Sequence, residues 1–407
     1  MKKVENNTPC SSNHTKKGIN MDTNKKNITK VPKNSTKIEN IDTINKTKKR
    51  KIMSKHTSVE DVPKINKKAN KLNKQVDKVD EVDNKANEKM KLKVLDLFCG
   101  CGGMTEGLKK AGLDIIAGID IWDRAIESYE SNNDHLAICA DLTVLKPAIF
   151  KKKYNINYDI DLIVGGPPCQ GFSIAGKRDI DDPRNSLFVE YYNYLTFFKP
   201  KAFIMENVIG ILSMKTKKGE KVIDIITNLL EKNYNISVNK LYASDFEVPQ
   251  NRRRTIIIGV RKDLKIELPE IKPVLTVDER IPVKTILEDE NSVDEKQFLS
   301  ERAIKGINLK KEKSKQTGKG FGAQFLNPDR PSYTIPARYW KDGYDALVKY
   351  SDTRIRRLTV NELKKIQSFP EDYVLKGSKK DQIMQIGNAV ACQFAYHLGK
   401  YIIKILQ

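Results

Sequence analysis

A doubly wound α/β sheet is the fold class this sequence predicts, on three observations. From Lys93 onward, short apolar runs of strand length alternate with segments of helical length, the rhythm of a parallel sheet covered by helices on both faces. The first strand runs into a glycine-rich turn, Phe98-Cys99-Gly100-Cys101-Gly102-Gly103, that opens a helix. The next two strands end in acidic residues, Asp120 and Asp141, at the edge of an open sheet where ligands are expected.

Taken in order, the strand candidates are Val94–Phe98, Ile115–Ile119, Ala137–Cys139, Leu162–Val164, Ala202–Met205, Ile236–Leu241 and Thr255–Val260, with a helix expected from Met104 to Ala111. Six or seven strands in this alternation predict a Rossmann-like sheet. Residues 262–352 break the rhythm with Gly, Pro and aromatic residues, and read as a small inserted domain before the α/β fold resumes over 353–407. The first part of that fold spans 91–261. Residues 1–90 are dominated by Lys and Asn with isolated Ile and Val, too little apolar surface to offset the entropy of ordering a backbone, and read as a disordered basic tail. The run Lys46–Lys51 within it fits a solvated charge run better than a nuclear import signal or a phosphate-binding patch.

The formal charge of +22 favours a polyanionic partner, because cationic side chains release counterions from nucleic acid. About +12 of it lies in residues 1–90, so the folded part is basic in its own right. The six cysteines form no C-x-x-C pair, which speaks against a zinc module and a disulfide scaffold and for a reduced compartment. No metal is expected. No apolar run reaches signal-peptide or membrane-span length, so the expectation is an intracellular protein, nuclear in a host with a nucleus and otherwise cytoplasmic. A monomer is expected, for want of heptads or an apolar patch.

A glycine turn alone serves many cofactors. Joined in order to Asp120, placed for a ribose diol, and Asp141, placed for an adenine amino group, it points to an adenosine-bearing one.

The most informative stretch is Gly165-Gly166-Pro167-Pro168-Cys169-Gln170-Gly171-Phe172-Ser173, after the fourth strand. Two prolines stiffen the loop around a cysteine, and a free thiol becomes a nucleophile only where cations or donors favour the thiolate; Arg252 and Arg254 are the candidates. Taken alone, an isolated cysteine is more often a buried structural one. A Cys/His hydrolase is disfavoured, since only His135 and His397 fall in the folded part and neither has a suitable context.

Pro-Pro-Cys-Gln-Gly-Phe-Ser resembles the catalytic loop of the DNA (cytosine-5) methyltransferases, and the supporting motifs follow in that family's order. Phe98 to Gly103 resembles its cofactor loop, Glu206-Asn207-Val208 its Glu-Asn-Val signature, and Gln250-Asn251-Arg252-Arg253-Arg254 its Gln-x-Arg-x-Arg pattern. Arg357-Leu358-Thr359 with Glu362, Gln367, Phe369 and Pro370 resembles the segment supporting the recognition domain. Asn388-Ala389-Val390 resembles the motif returning to the cofactor pocket. The likeness runs from residue 93 to about 404, outside the variable insert. One departure is Ile121, where many members carry Trp, which leaves the adenine packing open.

The resemblance implies S-adenosylmethionine as cofactor, held by Phe98, Gly100, Gly102, Gly103, Asp120, Asp141, Pro167, Asn388, Ala389 and Val390. It implies double-stranded DNA as partner and Cys169 as nucleophile toward cytosine C6, which turns C5 into an enamine carbon able to take a methyl group. Glu206 toward N3 and Arg252 toward O2 would stabilise the charge developing there, with Arg254 as the second cation of the motif. The base must be flipped out to expose C6. By position, 262–352 resembles the target recognition domain, and the candidate DNA contacts are Gln170, Ser173, Gln250, Arg330, Arg338, Tyr339, Trp340 and Lys341. The rivals are the transfer-RNA branch of the family, which tends toward Pro-Pro-Cys-Gln-Pro-Phe-Thr, and a catalytically silent DNA-binding protein.

Overall fold

The computed structural model describes residues 91–168, 186–216, 219–317, 323–341 and 343–407. The basic tail, and Cys169, Gln170 and Ser173 among the candidate site residues, lie outside the described residues.

Seven strands form the central sheet: β1 (Lys93–Leu97), β2 (Asp114–Asp120), β3 (Leu136–Cys139), β4 (Leu162–Gly165), β5 (Ala202–Val208), β6 (Tyr234–Tyr242) and β7 (Arg253–Arg261). Between and after them come helices α1 (Gly103–Ala111), α2 (Asp123–Glu130), α3 (Pro147–Lys153), α4 (Ser186–Phe198), α5 (Val222–Leu230), α6 (Glu301–Thr317), α7 (Val360–Ile366), α8 (Lys379–Asn388) and α9 (Cys392–Leu406). Every strand expected from the sequence is present. The spatial order is β3-β2-β1-β4-β5-β7-β6, so the chain reverses direction across the sheet between β1 and β4. The loops after these two strands, Phe98–Gly102 and Gly166–Pro168, therefore flank the crevice where such sheets bind ligands.

One strand departs from the parallel arrangement. β7 lies antiparallel to both β5 and β6. Its link to β6 is too short for the dozen or more residues of a helical crossover, so the chain turns back on itself.

Alternation along the strands divides the core. Leu95, Leu97, Ile163, Phe203, Met205 and Ile257 face one side with Phe150, Tyr191 and Tyr194 of α3 and α4. Val94, Leu162, Val164, Ile204, Ile256 and Ile258 face the other, with Leu108 of α1 and Phe394, Leu398 and Ile402 of α9. Both faces are covered, which is why the central strands read as continuous apolar runs.

The insert builds its own small core from Val283, Leu326, Ile335, Tyr339, Ala346 and Val348, joined by Leu358, Leu363, Ile383 and Ile386. A hairpin of β8 (Leu347–Lys349) and β9 (Ile355–Arg357) carries this unit past residue 352. Behind it, Arg356 and Glu362 pair at 2.8 Å with both side chains fully buried, and Glu362 also closes a capping box with Thr359 at the start of α7. The insert then returns to the sheet. Asn251 N–H donates to Ser332 O at 2.8 Å and Ser332 N–H to Pro249 O at 2.9 Å, laying residues 332–337 beside the approach to β7.

Among the described residues, no helix is long and apolar enough to cross a membrane, and no group of three or more His, Cys, Asp or Glu is placed to hold a metal.

Candidate active site

A cavity of about 910 Å³ opens at the carboxyl ends of β1, β2, β4 and β5. It lies toward the upper end of the range for ligand pockets, with room for more than one small group.

At one end the loop after β1 is folded around a carboxylate. Asp120 Oδ2 accepts from Gly100 N–H and Oδ1 from Trp122 N–H, each at 2.9 Å. One donor to each oxygen leaves lone pairs free toward the cavity, an acceptor pair suited to a diol. Burial raises the Asp120 pKa, and backbone hydrogen bonds oppose the shift. Gly100 sits at φ +54°, and a Cβ there would meet nothing within 4 Å, so the backbone itself faces open space.

Gly102 and Gly103, expected to approach a ligand, do not line the cavity. They are packing glycines. A Cβ on Gly103 would lie 2.3 Å from Val390 O, and one on Gly102, at φ +95°, 2.6 Å from the Tyr373 hydroxyl. Phe98, Pro167, Asn388, Ala389 and Val390 do line the cavity. Asp141 lines it too, from a turn two residues beyond the end of β3, where its Oδ1 accepts from Thr143 N–H at 2.8 Å and Thr143 Oγ1 at 2.7 Å. Ile121, 66% exposed, lines the cavity, and so does its neighbour, the partly buried Trp122, which brings an aromatic ring to the same wall.

At the other end, Glu206 on β5 and Arg254 on β7 pair at 2.6 Å, with side chains only 14% and 12% exposed. The strand register makes the pair: Glu206 lies opposite Ile256 and Val208 opposite Arg254, so the two charges are diagonal neighbours on one face. Asn207 Nδ2 donates to Pro167 O at 3.0 Å, tying the proline loop to the same strand. Gly166 lets that loop pass close, since a Cβ there would lie 3.1 Å from Glu206 Oε2.

Arg252, given the base-facing role by the sequence, is placed differently. It lines the cavity but is 3% exposed, and its guanidinium donates to Ile335 O at 3.3 Å and Gly387 O at 3.1 Å. Burial, with Arg254 nearby, drives its pKa well down. Arg252 knits the insert to α8, and Arg254 is the guanidinium beside Glu206.

Two further expectations are corrected. Gln250 is fully buried, with Oε1 accepting from Ile335 N–H at 3.1 Å and Nε2 donating to Ile366 O at 3.4 Å, so it fastens the insert and does not face DNA. Tyr339, 2% exposed, donates to Ala346 O at 2.8 Å and accepts from Leu358 N–H at 3.0 Å inside the small core. Arg330 and Lys341 are exposed, Arg338 is exposed and paired with Asp345 at 2.6 Å, and Trp340 is partly buried. Tyr339→Phe should accordingly cost about 1–3 kcal/mol of stability, the penalty for stranding a buried donor and acceptor, and leave DNA affinity within twofold. Denaturant melts and binding titrations check this, and intact stability with weakened binding would restore the contact role.

Several cavity residues carried no signal in the sequence. Thr334, Pro336 and Ala337 come from the insert, and Leu142 from a turn. Asp96 was legible only as the last polar residue of β1. It is buried, accepts from Thr105 Oγ1 at 2.7 Å, and desolvation pushes its pKa up to about 7.

The family described as C-5 cytosine-specific DNA methylase matches residues 92–404. The type II methyltransferase M.DdeI of Desulfomicrobium norvegicum is 32% identical over 377 residues, covering 76% of this chain and 88% of that protein. M.DsaV of Dactylococcopsis salina, also a type II methyltransferase, is 35% identical over 312 residues, covering 74% and 83%. Among solved structures, the Entamoeba histolytica methyltransferase EhMeth aligns over 78% of this chain and all of its own, with a TM-score of 0.62 at 21% identity, a likeness of fold.

Proposed function

The chain belongs to the C-5 cytosine-specific DNA methylase family and is a methyltransferase acting on cytosine in DNA, and from that premise we propose how its residues divide the work. The cofactor is S-adenosylmethionine, held at the Asp120 end of the cavity. The open space over Gly100 and the free lone pairs of Asp120 fit a ribose diol, and Trp122, Asp141 and Leu142 lie beside them to take the adenine. When bound, the cofactor supplies an electrophilic methyl group.

The target cytosine leaves the duplex and enters the other end. Flipping costs a few kcal/mol of stacking and pairing, which contacts from the inserted recognition domain offset. The Cys169 thiolate adds to C6, the ring electrons move toward N3 and O2, and C5 becomes the carbon that accepts the methyl group. Glu206 faces N3 and Arg254 faces O2. Water then takes the C5 proton, the C5–H electron pair forms the C5–C6 double bond, and the C6–S bond breaks to release the Cys169 thiolate and restore the aromatic ring. Held on neighbouring strands, Glu206 and Arg254 need no reorganisation as the charge develops.

The observation that carries this reading is the Glu206–Arg254 pair in one cavity with the Asp120 loop, under prolines that lead directly into Cys169. Like its type II relatives, the protein is proposed to serve in restriction and modification. Transfer of labelled methyl to duplex DNA, with total transfer RNA as the comparison, tests the reading. Label on DNA at a defined sequence supports it, and label on transfer RNA alone would move the protein to the other branch.

The cofactor end makes a separate prediction. Asp120→Asn keeps one acceptor and should weaken S-adenosylmethionine binding about 10- to 100-fold, the worth of one or two hydrogen bonds to a charged group, with no change in Tm beyond a few degrees. Calorimetric titration measures it, and unchanged affinity would place the ribose elsewhere.

A further inference from the structure

Helix α8 touches two hollows. Its end, Gly387 and Asn388, lines the active-site cavity. Its start, Lys379 and Lys380, lines a second hollow of about 230 Å³ with Gln297, Trp340 and Arg357. From Lys379 to Gly387 the helix rises about 12 Å.

The second hollow gathers positive charge. Lys379 Nζ donates to Gln297 Oε1 at 2.6 Å, and Gln297 is itself buried and fixed by donation to Leu358 O at 3.1 Å. Lys380 Nζ lies 4.7 Å from the centre of the Trp340 ring. Arg357 Nε is buried and has no hydrogen-bond partner among the described residues. Its stem is admitted by Gly343, where a Cβ would lie 2.9 Å from Arg357 Cδ. Desolvation, and after it the nearby Arg357, lower the Lys379 pKa, and the carboxylate acting the other way, Asp294, is 61% exposed and engaged with Lys296 at 3.7 Å. Like charges held together beside an unanswered donor are costly unless an anion joins them.

We propose that this hollow takes a phosphate of the DNA backbone, seated by Lys379, Lys380 and Arg357. The ligand chemistry is a phosphate oxyanion. Backbone phosphate is the source favoured here, because α8 and the segment Ala337–Trp340 each connect the hollow to the cavity, and a strand whose base occupies the cavity carries its phosphates along the protein surface beside it. The proposal rests on the reading of the cavity as the site of a flipped base. It makes the hollow a register pin, contributing affinity irrespective of sequence.

The test compares wild type, Lys379→Gln with Lys380→Gln, and Lys379→Arg on the full chain, measuring labelled-methyl transfer to duplex, duplex affinity against salt, and Tm with inorganic phosphate. The double variant should keep its Tm, bind duplex about tenfold more weakly at moderate salt, and lose about one from the slope of log K against log salt, the signature of one phosphate contact. Lys379→Arg should retain the wild-type slope. An unchanged slope in the double variant overturns the proposal. So does an unchanged slope together with a phosphate-induced Tm rise that the double variant loses, which would assign the hollow to a free phosphate compound. A wild type that methylates no duplex brings down the reading of the cavity first, and the proposal with it.

Discussion

Cys169→Ala should abolish methyl transfer, with a fall in kcat of about 10⁴-fold or more, while duplex and cofactor affinities stay within a few fold. Removing a covalent nucleophile removes the whole route and not one increment of a barrier. No other cysteine among the described residues is ready to replace it. Cys99, Cys101 and Cys392 are buried, and burial pushes each thiol up, that of Cys101 to about 12, so their thiolate fraction at neutral pH is negligible. Cys139 is exposed beside Asp120 and Asp123, and desolvation raises it too. Initial rates of labelled-methyl transfer to duplex DNA measure the effect. Retention of more than about one per cent of the wild-type rate would place the nucleophile elsewhere.

Glu206→Gln and Arg254→Met should each lower kcat about 10²- to 10³-fold, the usual cost of removing one preorganised group from a developing charge. The two act on one ring through a shared 2.6 Å contact, so the double variant should lose much less than the product of the single losses. Arg252→Met should behave otherwise. Its carbonyl acceptors, Ile335 O and Gly387 O, join the insert to α8, so the expected loss is in stability and in cooperativity between these segments. Single-turnover rates at saturating cofactor, with melts of the same proteins, separate the two outcomes. A stable Arg252 variant with the larger loss in kcat would return the base-facing role to Arg252.

The seven strands, the turn after β1, the acidic strand ends and the order of the motifs were all readable in the chain, because each is a local pattern of periodicity, glycine or spacing. So were the residue types the chemistry requires, including the Glu206 and Arg252/Arg254 motifs. Tertiary structure decided what each member of a motif touches. Arg252 and Arg254 lie two residues apart at the start of β7, and only the register of β5 against β7 gives Glu206 to Arg254 while the return of the insert claims Arg252. The glycines divided the same way: Gly100 faces open space because of its neighbours across the crevice, whereas Gly103 is held against Val390, 287 positions later in a chain of 407 residues. Tyr339 inside the small core, and Thr334, Pro336 and Ala337 on the cavity wall, depend on contacts between segments far apart in sequence. The sequence by itself determined the fold class and the family, since both are written in local patterns. The assignment of roles within each motif was left to long-range packing, which no local pattern encodes.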